Sequence, residues 1–187
     1  MSVKSNDKNK IDIPKKIKIK RIVYAILIIA WALFVFNLSS QTGTDSSGLS
    51  RWIVELFTKD EAIINVVEPY VRKFAHFSEY ALGGVLFLGL CNTYNWSDRK
   101  KLFISIFLGV WYAISDEVHQ LLVPARNGNF IDVWIDSLGI ATGTCVMMAN
   151  YKIREIILNK KMESDKLLET YKNNLVLATE LLKTHPD

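Results

Sequence analysis

The sequence predicts an all-α protein: a polytopic membrane helix bundle of four transmembrane helices, both termini cytoplasmic, with an amphipathic cytoplasmic C-terminal helix. Three observations lead there. Four strongly apolar runs lie at about residues 22–38, 72–91, 102–121 and 130–149. Lys and Arg gather in three of the five segments that flank or join them. Half of the 187 residues are hydrophobic, yet the mean hydropathy is only +0.15, so soluble segments accompany the spans. The net charge of +4 is too small to argue for nucleic acid, and no nucleic-acid partner is expected. Cys91 and Cys145 fall inside apolar runs, where they imply neither a zinc spacing nor a disulfide framework.

Residues 1–21 form a basic arm, with eight Lys/Arg against Asp7 and Asp12. Placed before an apolar run, it acts as a topology signal and can touch anionic lipid headgroups. Residues 22–38 carry no charge and, at ~1.5 Å per residue, just span a ~30 Å hydrocarbon core. No small-x-small cleavage site follows, so this run is read as an uncleaved first helix rather than a signal peptide. SSQTGTDSSG is loop chemistry, its serines read as turn formers. Leu49, Trp52, Ile53, Leu56 and Phe57 then recur at helical spacing, a face for the membrane interface or for the bundle. Thr58 and Glu61 suggest a capping box for a short helix that stops near Pro69.

The later spans carry charge within them. The arm, the Arg99–Lys100–Lys101 link, and Lys152, Arg154, Lys160 and Lys161 hold most of the cations, whereas the other two loops hold few. An even number of spans satisfies this bias in every segment. The membrane domain therefore covers residues 22–150, and residues 151–187 form a cytoplasmic tail with a helical stripe of Leu167, Tyr171, Leu175, Ala178 and Leu182.

Ionisable groups inside spans are costly, about 2.5–3.5 kcal/mol each on insertion scales. Asp116, Glu117, His119, Gln120, Arg126, Asp132 and Asp136 nonetheless fall within 21 positions. With the outer boundary near Arg72, Leu121 and Phe130, His76 and Glu79 lie roughly 6 and 10 Å deep in the second span, Asp116 about 7 Å deep in the third and Asp136 about 9 Å deep in the fourth. Three helices thus bring acids and imidazoles to one depth. Arg72, His76, Glu79 and Gly83 share a face, as do Tyr112, Asp116, His119 and Val123, and Asp132, Asp136, Gly139 and Gly143. The last face ends in G-x-x-x-G, which lets helices approach closely and offers a surface for an oligomer, as does the C-terminal helix. The VPARNGNF turn between the last two spans would sit at the pocket mouth as a lid.

Acid–base chemistry would draw on His76, Glu79, Asp116 and His119 as candidate catalytic residues. Arg72, Lys73, Gln120 and Arg126 are candidates to hold a substrate or anion, with Arg126 equally able to pair with Asp132 or Asp136. Glu117, Asp132 and Asp136 complete the polar pocket. A metal variant would use His76, Glu79, His119 and Asp116, but no compact signature such as H-E-x-x-H is present, and neither metal nor other cofactor is expected.

RKFAHFSEY, SDEVHQLLVPAR and FIDVWIDSLG, with SSQ after the first span, resemble the VanZ-like family over roughly residues 22–150. The likeness implies a small integral membrane protein of bacteria. The family's namesake is associated with resistance to teicoplanin, a lipoglycopeptide that acts on the outer face of the membrane. By motif match, the family's polar positions fall on Lys73, His76, Glu79, Asp116, Glu117, Gln120, Arg126, Asp132 and Asp136, with Ala125 where the family usually has Gly. The expectation is a multi-pass cell-membrane protein of a Gram-positive bacterium. It would be a glycopeptide-resistance or envelope factor whose outer-leaflet pocket binds or acts on a membrane lipid, a lipid-linked envelope precursor or a lipoglycopeptide. The alternatives are a membrane-embedded enzyme acting on a lipid-linked phosphate or ester, and a non-catalytic assembly or transport component.

Overall fold

The computed structural model describes residues 14–41, 43–123 and 129–184. Arg126, most of the expected lid and the start of the basic arm lie outside the described residues. Five helices and no strand occur among the described residues. They form two compact units, Met1–Met147 and Met148–Asp187.

Helix α1 spans Lys15–Ser39 and begins seven residues before the uncharged run, because the Lys-rich stretch is itself a good helix former. Pro14 sets the start, its carbonyl accepting from the amides of Ile17 and Lys18 at 2.8 and 3.2 Å. Helix α2, Gly43–Glu55, holds Leu49, Trp52 and Ile53 of the expected apolar face, whereas Leu56 and Phe57 lie beyond its end. Val54 and Ser50 are buried, Ser50 donating to Glu68 at 2.8 Å, while Leu49 and Trp52 remain exposed. Arg51 joins the elements by bonding Glu55 at 2.8 Å and Glu61 at 2.5 Å. The Glu61 hydrogen bond raises the Arg51 pKa, but the pair is exposed and solvent-screened.

Helix α3, Glu61–Cys91, corrects two expectations. Its N-cap is Asp60, whose side chain accepts from the Ala62 amide at 2.9 Å, while Thr58 accepts from the Asp60 amide instead of forming a capping box. The helix also does not stop at Pro69. An internal proline removes one hydrogen bond and crowds the preceding turn, at about 3 kcal/mol. Anchors on both sides offset this: Ile64 is buried and Glu68 is held by Ser50 before the proline, and the Tyr80–Cys91 stretch is embedded after it. The short helix and the second span are therefore one element.

Helix α4, Asp98–Gln120, is capped by Ser97, which accepts from the Lys100 amide at 3.4 Å. Helix α5, Phe130–Thr184, is a single helix of 55 residues with no break at residue 150. Its Leu167, Tyr171 and Leu175 are exposed.

Four of these helices, α1, α3, α4 and α5, are long and apolar enough to cross a membrane. Their outward faces carry exposed Ile22, Ile26, Leu33, Phe103, Trp111 and Leu138. So much contiguous apolar surface belongs in lipid, and the chain is a multi-pass membrane protein.

Contacts between elements fix the directions. Arg21 meets Thr93 and Trp31 meets Glu79, so α1 and α3 are antiparallel. Ala32 meets Tyr112 and Ser39 meets Asp116, so α1 and α4 run parallel. The G-x-x-x-G pair of α5 lies on the α3 backbone: a Cβ at Gly139 would strike the Phe77 carbonyl, and one at Gly143 the Ala81 carbonyl. Gly84 of α3 faces the Ile140 carbonyl in the same way. Only glycine permits this approach, which brings α3 and α5 together along one seam.

The core is aromatic. Trp31 meets Tyr80 and Phe87 edge-on at 5.9 and 5.7 Å and tilts against Tyr112 at 5.0 Å. Its indole N–H donates to the Glu79 carbonyl at 2.9 Å. The Tyr112 hydroxyl donates to the Ala32 carbonyl at 2.6 Å.

Candidate functional site

The polar groups gather at the end of the bundle where α1 and α4 finish and α5 starts. One set is buried. Asp116 Oδ2 accepts from Ser39 Oγ at 2.7 Å, Tyr80 OH at 3.0 Å and Gln120 Nε2 at 3.1 Å, and Gln120 also donates to Ser39 Oγ at 3.0 Å. Residues from α1, α3 and α4 thus close around one carboxylate oxygen. Helical periodicity explains the row: Tyr112, Asp116 and Gln120 are spaced by four and point the same way into the bundle. Asp136 of α5 is 1% exposed and lies within electrostatic range of Asp116, Glu117, Asp132 and Glu79. Neither Asp116 Oδ1 nor Asp136 Oδ1 meets a hydrogen-bond donor among the described residues.

The second set is open. Arg72, His76 and Glu79 of α3 line a cleft with Leu38, Ser39 and Gln41 of α1 and its exit, and with Leu49, Ser50 and Ile53 of α2. The cleft encloses about 80 Å³, and its lining mixes cationic, imidazole, carboxylate and hydroxyl groups with aliphatic side chains. Ser39 belongs to both sets: its hydroxyl is bonded to Asp116 and Gln120 while the residue forms part of the cleft wall. It is therefore more than a turn former, since it closes α1 as a helical residue and donates to a buried acid.

The structure does not bring all the expected residues together. His119 does not line the cleft; its ring stacks on Phe36 at 4.5 Å, and its Nε2 lies 3.2 Å from Ser40 Oγ. The two histidines thus share a level without sharing a site. Lys73 is exposed and does not line the cleft. Glu117 is buried on another side, bonded through Oε1 to the Asn129 amide at the start of α5, and it borders an apolar groove of about 570 Å³ between α4 and α5. Asp132 is half-buried. Among the described residues no three His, Cys, Asp or Glu are grouped to hold a metal ion.

The blocks that supply these side chains are those of a known family model. A model described as VanZ/LLP1 matches residues 23–153. The chain belongs to the VanZ/LLP1 family. No curated protein and no solved structure matches it. The VanZ/LLP1 match covers every residue of the buried network and of the cleft.

Two members of this VanZ/LLP1 network were not singled out from sequence. Tyr80 stands beside Glu79 in RKFAHFSEY, and a tyrosine in an apolar helix reads as core until its hydroxyl is given a partner. Ser39 stands in SSQ, a block that carries the family likeness, which was the available signal.

Proposed function

We propose that this protein is a cell-membrane envelope factor, both termini cytoplasmic, whose α1–α2–α3 cleft opens at the outer leaflet and holds the head of a lipid-linked or lipid-tailed molecule. A teicoplanin-type lipoglycopeptide in a Gram-positive host is the leading instance. The observation that carries the reading is the mixed lining of the cleft. Arg72 can address a phosphate or carboxylate, while Leu38, Leu49 and Ile53 suit the first methylenes of a tail. The exposed apolar residues of α2 support it, since Leu49 and Trp52 suit the level of lipid headgroups. The lysine and arginine distribution supports the orientation.

A specific feature favours a second, catalytic reading. His76 and Glu79, one helical turn apart, line the same cleft, so an imidazole base and a carboxylate flank the place where a phosphate or ester would sit. Asp116 and Gln120 then act as positioning residues through Ser39.

The test uses the full chain in a teicoplanin-sensitive Gram-positive host. Wild type is expected to protect, and Arg72→Gln, His76→Ala and Glu79→Gln, each inserted at wild-type level, are expected to lose protection. If a lipid-linked phosphate still binds purified His76→Ala while protection is gone, the catalytic reading is favoured over sequestration. Equal protection by all variants would rule the cleft out as the working site.

A further inference from the structure

The opposite end of the bundle carries a second arrangement. Arg21 of α1 donates from Nε to Thr93 Oγ1 at 3.2 Å and from Nη2 to the Thr93 carbonyl at 2.9 Å, beyond the end of α3. Its guanidinium carbon lies 3.9 Å from the centre of the Tyr94 ring. Tyr94 stacks on Trp96 at 4.7 Å with the planes 15° apart. The Lys100 ammonium then sits 4.9 Å from the Trp96 ring centre. Arginine, tyrosine, tryptophan and lysine therefore form one layered stack across the α3–α4 link.

The stack has cations on its outer layers. The Arg21 hydrogen bonds to Thr93 go to neutral oxygens and engage two of its five N–H donors. Asp98, the first residue of α4, lies 3.7 Å from the Lys101 ammonium. Four more lysines occupy the start of α1. A bare topology signal needs only charge, on mobile side chains. Here a guanidinium is fixed by two hydrogen bonds and an aromatic face, beside the Tyr and Trp residues that favour the headgroup level.

We propose that Arg21 and Lys100, layered around Tyr94 and Trp96, form a binding site for the phosphate of an anionic glycerophospholipid headgroup. The remaining N–H donors of Arg21 take phosphate oxygens in a fork, and Lys100 supplies the second charge. Tyr94 and Trp96 contact the glycerol region. The site is separate from the α1–α2–α3 cleft and does not depend on what that cleft binds.

Native mass spectrometry of the full chain, titrated with phosphatidylglycerol and separately with phosphatidylcholine, tests this. Wild type is expected to favour phosphatidylglycerol. Lys100→Gln, which leaves the Arg21 bonds to Thr93 intact, should lower that preference about five-fold, and adding Arg21→Gln should lower it by about as much again. Lys59→Gln removes the same charge as Lys100→Gln at the opposite end of α3 and should leave the preference unchanged. Millimolar inorganic phosphate should not displace the lipid. The proposal is overturned if wild type binds both lipids equally, if Lys100→Gln leaves the preference intact, if Lys59→Gln lowers it as much, or if free phosphate competes.

Discussion

Replacing Asp116 with alanine is expected to destabilise the helix bundle by about 2–5 kcal/mol. One carboxylate oxygen accepts from Ser39, Tyr80 and Gln120, so its loss strands three donors from three helices at once. Interhelical hydrogen bonds in lipid contribute about 0.6 kcal/mol on average and up to about 1.7 each. The larger part of the effect is the cost of leaving buried donors unpaired. Asp116→Asn keeps an acceptor and should recover much of the loss. Tyr80→Phe removes a single bond and should cost no more than about 1–2 kcal/mol. Reversible unfolding in mixed detergent micelles measures all three, and equal stability of Asp116→Ala and wild type would mean that the network does not hold the helices.

Trp31→Ala should have a comparable effect, about 3 kcal/mol or more, by a different route. Lipid tails are as apolar as the core, so the loss is packing rather than hydrophobic transfer. The indole fills the space between Tyr80, Phe87 and Tyr112 and lies directly over Gly83. Its N–H also fixes the Glu79 carbonyl, which ties the core to the residue that carries the cleft carboxylate. Trp31→Phe keeps most of the packing and loses that bond. It should therefore unfold near wild type yet weaken protection in the susceptibility assay. If Trp31→Phe protects fully, the indole bond has no part in placing Glu79.

Much of this fold was legible because a lipid-spanning helix must be long and apolar, and α1, α3, α4 and the first part of α5 meet that rule. The ends were harder. Lysines prolong α1 toward its start, and α3 runs through Pro69, since helical propensity and packing outweighed the local stop signals. Within one helix, spacing puts Arg72, His76 and Glu79 on one face, and all three line the cleft, while Gly83 of that face meets Trp31. Between helices it failed, because sequence does not give the rotation of one helix against another. His119, three residues from Asp116, sits a fraction of a turn aside and lands on Phe36, whereas Gln120, four residues on, points with Asp116 into the network. Tyr80 escaped notice for the same reason: its hydroxyl matters only because α4 presents an acid to it.

Side-specific labelling of single cysteines tests most directly whether the cleft faces outward. With Cys91 and Cys145 replaced by alanine, Leu49→Cys puts a thiol at the rim of the cleft, and Arg99→Cys puts one at the exposed link beside the aromatic stack. In intact cells a membrane-impermeant maleimide should label Leu49→Cys, and it should reach Arg99→Cys only after permeabilisation. Labelling in the reverse order would place the cleft at the cytoplasmic face and contradict its proposed task.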